Sequence, residues 1–135
     1  MKTLIFAAFL SIAPVAAPAQ TLSSPDIESV ISRQIDAFLR DDFEAAFAFA
    51  SPMIKGIFQT PERFGRMVVD GYPMVWRPSD MRFMELRHED GRLFQKVMLR
   101  DADGRVHYLD YEMIEGGDGW QINSVQLLRA PTLGV

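Results

Sequence analysis

Two carboxylates, a phenol and an amide fall close together in the last third of the sequence, in segments typical of β-strands. Asp110 and Glu112 are two residues apart, so in a strand they share one face at a separation of about 7 Å. Tyr108 is the next residue on that face, and Gln95 lies across from them on the preceding strand. If that face is the inner one, burial raises the pKa of Asp110. Asp110 is then a candidate general base for a small-molecule lyase or isomerase.

The same carboxylates also have a structural interpretation, in which they face solvent or pair with Arg82, Arg87 or Arg100. Ion pairing is the commoner use of carboxylates on strands. The sequence therefore favours the structural interpretation and keeps Asp110 as a weak catalytic candidate.

Other catalytic chemistry is not indicated. His107 and Asp110 are three residues apart, so on a regular strand they point to opposite faces and do not form a dyad. With two histidines and no cysteine in the chain, a metal site is not supported. No serine lies in a nucleophile-elbow sequence, and no glycine run is suited to cradle a phosphate. We predict no cofactor.

Three residues that precede the predicted strands are candidates for lining a ligand pocket. Gln34 falls on the apolar stripe of a predicted helix, where a polar group must find a hydrogen-bond partner or line a wet cavity. A bond to a strand backbone or to Asn123 is the favoured alternative for it. Tyr72 and Trp76 could form a pocket rim, although Trp76, between two prolines, could equally anchor its segment to the core.

Helix start signals dominate the first half of the chain. Ser24-Pro25 and Thr60-Pro61 each combine a capping hydroxyl with proline in the first turn, the usual beginning of a helix. Asp41-Asp42 ends one helix and caps another. We predict three helices, over residues 25–40, 43–50 and 61–71, a helical turn over 53–58, and an extended segment over 72–78.

Three Asp-Gly pairs divide the second half into an antiparallel meander. Asp90-Gly91, Asp103-Gly104 and Asp118-Gly119 are the strongest short-range hairpin signal, because tight hairpin turns need positive φ. The predicted fold class is therefore α+β, with three helices packed on a curved sheet of four strands and at most one further short strand. The predicted strands are residues 81–88, 92–100, 105–115 and 120–129.

The predicted turns also predict which side chains share a face. A loop of two or four residues at Asp103-Gly104 pairs odd positions of the second strand with even positions of the third. Gln95 then shares a face with Tyr108, Asp110 and Glu112. Both faces are half apolar, so we expect the face away from the helices to be covered as well, through a homodimer.

The first nineteen residues have the pattern of a secretory signal peptide. A lysine is followed by an apolar run, and Ala17-Pro18-Ala19 supplies the small residues of a cleavage site before Gln20. The alternative is an uncleaved anchor, but the apolar run is short for a membrane span. We predict a signal peptide over residues 1–19, a periplasmic or secreted protein and, without cysteine, no lipoprotein. The net charge of −4 argues against nucleic acid or an anionic membrane as partner.

Residues 20–135 are predicted to form one domain, and their pattern resembles the nuclear transport factor 2-like superfamily. The segment 37–47, with its Asp-containing break, resembles that superfamily's first two helices. More narrowly, the chain is similar to the exported bacterial proteins of domain of unknown function 4864, in the stretches 47–52, 64–68, 71–78 and 119–123. The resemblance implies a cone-shaped α+β fold with a cavity and brings no activity.

The leading hypothesis is a non-catalytic domain that binds a small apolar or amphipathic ligand or a protein partner. The enzymatic alternative uses Asp110 as base with Tyr108 or Gln34 assisting. A third interpretation fills the cone with the chain's own methionines and phenylalanines, which leaves only an interaction surface.

Overall fold

The computed structural model describes residues 22–129, together with the single positions 8 and 11. Apart from those two positions, the predicted signal peptide, with its cleavage site between Ala19 and Gln20, lies outside the described residues. Within the described part of the chain, no helix is long and apolar enough to cross a membrane.

The described residues form helices first and an antiparallel sheet afterwards, which confirms the predicted α+β class. Five helices precede four strands: α1 (Pro25–Leu39), α2 (Phe43–Ala48), α3 (Pro52–Phe58), α4 (Pro61–Gly71), α5 (Pro73–Trp76), β1 (Asp80–Glu89), β2 (Arg92–Arg100), β3 (Val106–Gly116) and β4 (Gly119–Leu128).

Four helices begin at side-chain caps, of which Ser24, Asp42 and Thr60 were predicted and Ser51 was not. The side chains of Ser24, Asp42, Ser51 and Thr60 each accept a hydrogen bond from the backbone N–H three residues later, at 3.1 to 3.3 Å. α1, α3 and α4 also have proline in their first turn. These bonds satisfy N–H groups that the helix itself leaves free.

The predicted extended segment over residues 72–78 is wrong, because Pro73–Trp76 form the helical turn α5. Pro73 occupies the first helical position, where its missing N–H costs no hydrogen bond and its fixed φ suits the helix. The prolines of this segment therefore border a short helical turn and do not exclude helix.

The four strands form one antiparallel sheet in the order β1-β2-β3-β4. Two of the predicted hairpins are two-residue turns. Glu89 pairs with Arg92 around Asp90 and Gly91, both at positive φ. Gly116 pairs with Gly119, so that turn consists of Gly117 and Asp118 and lies one residue earlier than the predicted Asp118-Gly119. The third hairpin is longer, since Arg100 pairs with Val106 across five residues.

The β2–β3 loop is held by the side chain and backbone of its first residue. The Asp101 carboxylate accepts hydrogen bonds from the N–H groups of Asp103 and Arg105, each at 2.9 Å. The Asp101 N–H donates to the Arg105 carbonyl at 2.9 Å. An odd number of loop residues shifts the pairing of the two strands by one position relative to a loop of two or four.

The predicted face assignment is therefore wrong across β2 and β3. Gln95 pairs with Tyr111, and Lys96 pairs with Asp110, so Gln95 and Asp110 lie on opposite faces. We call the face toward the helices the inner face and its opposite the outer face. The inner face includes Leu93, Gln95, Val97, Leu99, Leu109, Tyr111 and Met113; the outer face includes Phe94, Lys96, Met98, Tyr108, Asp110 and Glu112.

α1 lies at the centre of the core, against the inner face. Ile27, Ile31, Ile35 and Phe38 recur at helical spacing, and each is buried. They form one apolar cluster with the inner-face residues of β2 and β3 and with residues of α2, α4, α5 and β4. The cluster joins the apolar side of α1, whose residues recur every 3.6 positions, to the inner face of the strands, on which every second residue lies.

Two bulges bend the sheet. The β1 bulge falls between Phe83 and Leu86, and the β4 bulge adds Asn123 opposite the Glu112–Met113 step. Gln95 binds the β1 bulge, because its Nε2 donates to the carbonyls of Met84 at 3.0 Å and Lys96 at 2.9 Å. Gln95 is therefore a buried structural residue.

The outside edge of β4 is partly paired with the segment between α2 and α3. The Ile122 N–H donates to the Phe49 carbonyl, and the Ser51 N–H donates to the Ile122 carbonyl, both at 2.9 Å. A single parallel bridge between Ala50 and Ile122 results.

Candidate functional site

A cavity of about 320 Å³ lies between the helices and β4. α1, α4 and β4 supply its inner walls, with Gln34, Phe38, Phe64, Val68, Ile122 and Val125 among the lining residues. Twelve of the sixteen lining residues have apolar side chains, and none is charged. The cavity is suited to exclude ions and to accept apolar groups.

α3 lines the cavity at its solvent-exposed rim. Met53, Ile54, Ile57 and Phe58 of this helix line the cavity. Met53 and Ile57 are 53% and 64% exposed, and α3 has no buried residue. The helix thus places large apolar side chains at the cavity while burying little of its own surface.

Gln34 lies in the wall of the cavity and is only 3% exposed. Its Nε2 donates a hydrogen bond of 3.1 Å to the Ala46 carbonyl of α2. The partner is thus a helix carbonyl, instead of the strand backbone or Asn123 side chain that the sequence suggested. Gln34 thus donates one of its two amide hydrogens within the protein and also lines the cavity.

Tyr72 lines the cavity and Trp76 does not. The Tyr72 hydroxyl donates to the Val125 carbonyl of β4 at 3.3 Å. Trp76 Nε1 instead donates to Asp41 Oδ1 at 2.8 Å, and the Arg77 guanidinium binds both Asp41 oxygens and stacks on the Trp76 ring. These bonds, that of Trp76 first, lower the pKa of Asp41. Trp76 therefore fastens α5 to the connection between α1 and α2.

Asp110 lies on the outer face, on the opposite side of the sheet from the helices. Its side chain is 5% exposed, and its two oxygens accept hydrogen bonds from Arg87 Nη1 at 2.9 Å and Nη2 at 2.7 Å. The bond to Asp110 also raises the pKa of Arg87. Because both of its oxygens are bound to the Arg87 guanidinium, the Asp110 carboxylate is one partner of a bidentate ion pair.

Glu112 is held in the same way beside it. Arg92 Nε donates to Glu112 Oε2 at 2.7 Å, and Asn123 Nδ2 donates to Oε1 at 2.9 Å. The hydrogen bond from Arg92, followed by that from Asn123, lowers the pKa of Glu112 against the opposing effect of burial. The guanidinium groups of Arg87 and Arg92 lie 5.3 and 5.0 Å from the Phe94 ring centre, within cation–π range.

The structure thus does not bring the candidate residues together in one place. Gln34 and Tyr72 meet at the cavity. Tyr108, Asp110 and Glu112 share the outer face, where Lys96 stacks over the Tyr108 ring at 5.3 Å. Among the described residues, no group of three potential metal ligands is found.

Sequence reasoning missed the part of the cavity wall that α3 and α4 contribute, which is seven of the sixteen lining residues. The available signal was the segment 52–58, in which Met53, Ile54, Ile57 and Phe58 are four apolar residues on a seven-residue helix. Their spacing places all four on one face of the helix, and this is the face that lines the cavity.

Tyr111 lies on the inner face with a hydroxyl that is completely buried and has no hydrogen-bond partner in the described part of the chain. Burial raises the pKa of this phenol. Because an unpaired buried polar group costs about 1–3 kcal/mol, we expect Tyr111→Phe to raise the free energy of unfolding by about 1 kcal/mol. Urea denaturation of both proteins measures the change.

Tyr72→Phe is the matched control, because the Tyr72 hydroxyl is bonded to the Val125 carbonyl. Loss of that bond is expected to lower stability by about 1 kcal/mol. A loss of stability in Tyr111→Phe of the same size as in Tyr72→Phe would show that the Tyr111 hydroxyl has a partner.

Comparison with protein families gives one match. The family model described as Domain of unknown function (DUF4864) matches residues 20–135. No curated protein and no solved structure matches the chain.

Proposed function

The chain belongs to the family described as Domain of unknown function (DUF4864), and we propose that its cavity makes it a non-catalytic binding module for a small, uncharged, largely apolar molecule. The observation that carries the proposal is the cavity of about 320 Å³ with no charged lining residue. Apolar cavities with few polar groups are the usual form of small-molecule sites.

The volume limits the size of the ligand. Since a water molecule occupies about 30 Å³ in the liquid, the cavity has room for roughly ten non-hydrogen atoms. A linear chain of eight to ten carbons is of this size. Each buried methylene contributes about 0.8 kcal/mol, or about fourfold in affinity, so a ligand of this kind gains its affinity by filling the cavity.

The lining also limits the charge of the ligand. An ion transferred to this cavity would lose its hydration without meeting an opposite charge. Asn123 Nδ2 and Ser124 Oγ, from two lining residues of β4, donate hydrogen bonds to the Glu112 carboxylate on the outer face. We therefore expect a neutral ligand instead of a fatty acid anion or an amine.

Binding of linear 1-alkanols with six to fourteen carbons tests the proposal. Isothermal titration calorimetry on residues 20–135 is expected to show affinity rising about fourfold per methylene and levelling off at eight to ten carbons. Absence of binding throughout the series would overturn the proposal, and so would equal affinity for all members.

A blocked cavity supplies the matched variant. Val68 is buried and lines the cavity, whereas Val69 is the next residue of α4 and does not line it. Val68→Phe is expected to weaken 1-octanol binding at least tenfold, because the larger ring occupies part of the volume of the ligand. Val69→Phe is expected to leave the affinity within about twofold, and similar losses in both variants would place the binding elsewhere.

Export, superfamily and assembly form part of the same proposal. The pattern of residues 1–19 supports a periplasmic or secreted protein, and the order of helices and meander supports a nuclear transport factor 2-like relationship.

For a homodimer through the outer face, the supporting observation is that Met84 and Val106 are 44% and 41% exposed. Native mass spectrometry of residues 20–135 from the periplasm gives the oligomeric state and any bound molecule together.

The enzymatic alternative is not proposed further. Its base, Asp110, has both oxygens bonded to Arg87 on the outer face, and the cavity lining contains no carboxylate.

A further inference from the structure

The side-chain amide of Gln34 is used at one end only. Its nitrogen donates to the Ala46 carbonyl at 3.1 Å. A carbonyl oxygen accepts and cannot donate, so the orientation of the amide is fixed with its nitrogen toward Ala46. The Oε1 atom therefore points to a different partner, and none of the described residues donates a hydrogen bond to it.

This oxygen also keeps contact with open space. Among the described residues, the side-chain polar atom that is completely buried without a partner is the Tyr111 hydroxyl. The unpaired Oε1 of Gln34 is not such an atom, so it remains in contact with open space, although Gln34 as a whole is only 3% exposed. The open space that Gln34 lines is the cavity.

The other polar atoms at the cavity differ from this one. The Tyr72 hydroxyl already donates to the Val125 carbonyl, and Asn123 Nδ2 and Ser124 Oγ donate to Glu112. Asn123 Oδ1 is a second acceptor, but Asn123 is only partly buried, so water can reach this oxygen, whereas Gln34 is 3% exposed. Gln34 Oε1 is a pure acceptor with two lone pairs. In apolar surroundings an acceptor without a donor is costly, which gives a donor-bearing ligand an advantage over one without a donor.

We infer, on the basis of the proposed function, that Gln34 is the specificity-determining residue of the cavity and that its Oε1 accepts a hydrogen bond from the ligand. The ligand class is then an uncharged, largely apolar molecule with one O–H or N–H group, such as an alcohol or a neutral amide. Ketones and ethers of the same size present only an acceptor, which meets the Gln34 oxygen unfavourably.

The test compares two ligands of one size on the unaltered protein. 2-Octanol and 2-octanone have the same carbon skeleton and the same oxygen position, and they differ in whether the oxygen donates. One hydrogen bond contributes about tenfold in affinity, so calorimetry on residues 20–135 is expected to give about tenfold tighter binding of the alcohol. Because this comparison needs no mutation, it does not depend on the folding of a variant.

Gln34→Met identifies the residue responsible, since methionine has a similar length and lacks the amide. The preference for octanol is expected to fall to within about twofold in this variant. Val68→Phe is the control, because it should weaken both ligands alike.

The outcomes separate the inference from the proposed function. Equal binding of octanol and octanone by the unaltered protein overturns the inference and leaves the proposed function standing. A preference that persists in Gln34→Met also overturns it, since another acceptor would then be responsible. Binding of neither ligand overturns the proposed function itself.

Discussion

Arg87→Ala is expected to lower the free energy of unfolding by about 3 kcal/mol. Asp110 is 5% exposed and receives both of its close hydrogen bonds from the Arg87 guanidinium. Removal of the arginine leaves a charged carboxylate buried on the outer face without its partner. The loss belongs at the lower end of the range for broken buried pairs, because the Arg87 side chain is 31% exposed and water can reach the site. Urea denaturation at neutral pH measures it.

Arg82→Ala is the matched control on the same strand. Its side chain is 75% exposed and lies 3.8 Å from Asp80, so its removal is expected to change stability by less than about 0.5 kcal/mol. The double variant Arg87→Met, Asp110→Leu is expected to recover most of the loss, since no unpaired charge remains. If Arg87→Ala is no less stable than Arg82→Ala, Asp110 does not depend on this pair.

The same variant bears on function. Because Asp110 and the cavity lie on opposite sides of the sheet, Arg87→Ala is expected to leave octanol affinity within about twofold under conditions where it remains folded. A large loss of affinity with an intact fold would connect the outer face to the ligand site.

Phe64→Ala is expected to lower the free energy of unfolding by about 4 kcal/mol, the usual cost of truncating a buried phenylalanine. Phe64 is 6% exposed, and its ring centre lies 5.8 Å from Phe38, 5.2 Å from Phe47 and 5.8 Å from Phe58. These rings belong to α1, α2 and α3, so one side chain on α4 connects α4 to the three helices before it. Thermal and urea denaturation measure the loss.

Phe58→Ala is the control for this prediction. Phe58 is only partly buried and has one aromatic partner, Phe64, so we expect a loss of about 1–2 kcal/mol. Since Phe64 lines the cavity, its truncation also enlarges the cavity. Addition of 1-dodecanol is expected to stabilise Phe64→Ala more than the unaltered protein. Equal losses of stability in Phe64→Ala and Phe58→Ala would mean that Phe64 has no central role in packing the helices.

The parts of the fold that depend on local chemistry could be predicted from the sequence. Ser24 and Thr60 cap helices because a hydroxyl can reach the N–H three residues on, whatever the rest of the chain does. Asp90-Gly91 forms its turn because both residues accept positive φ. The α+β order follows from these signals.

The face assignment required information that the sequence pattern does not carry. The β2–β3 loop has an odd length because the Asp101 carboxylate binds two backbone N–H groups within it, and an aspartate beside an Asp-Gly pair does not reveal which geometry it will support. One residue of difference in the loop moved Gln95 to the face opposite Asp110.

The cavity was predictable only in part, for a similar reason. Gln34 could be recognised because a polar residue on an apolar stripe is a local anomaly. The walls from α3 and α4 depend on how these short helices pack against β4, which is a property of the tertiary structure. The role of Trp76 was not predictable locally, because its hydrogen-bond partner Asp41 is 35 residues away in the sequence. Asp41 lies in a loop and has positive φ.

The pairing of Ile122 with the segment between α2 and α3 has a consequence for behaviour at high concentration. Exposed sheet edges are where separate molecules add strands to one another and aggregate. On β4, the backbone groups of Ile122 are already bonded to Phe49 and Ser51, and on β1 the bulge at residues 84–85 interrupts the other edge. Within residues 22–129, neither edge offers a long regular ladder, so the folded domain resists intermolecular β-sheet growth.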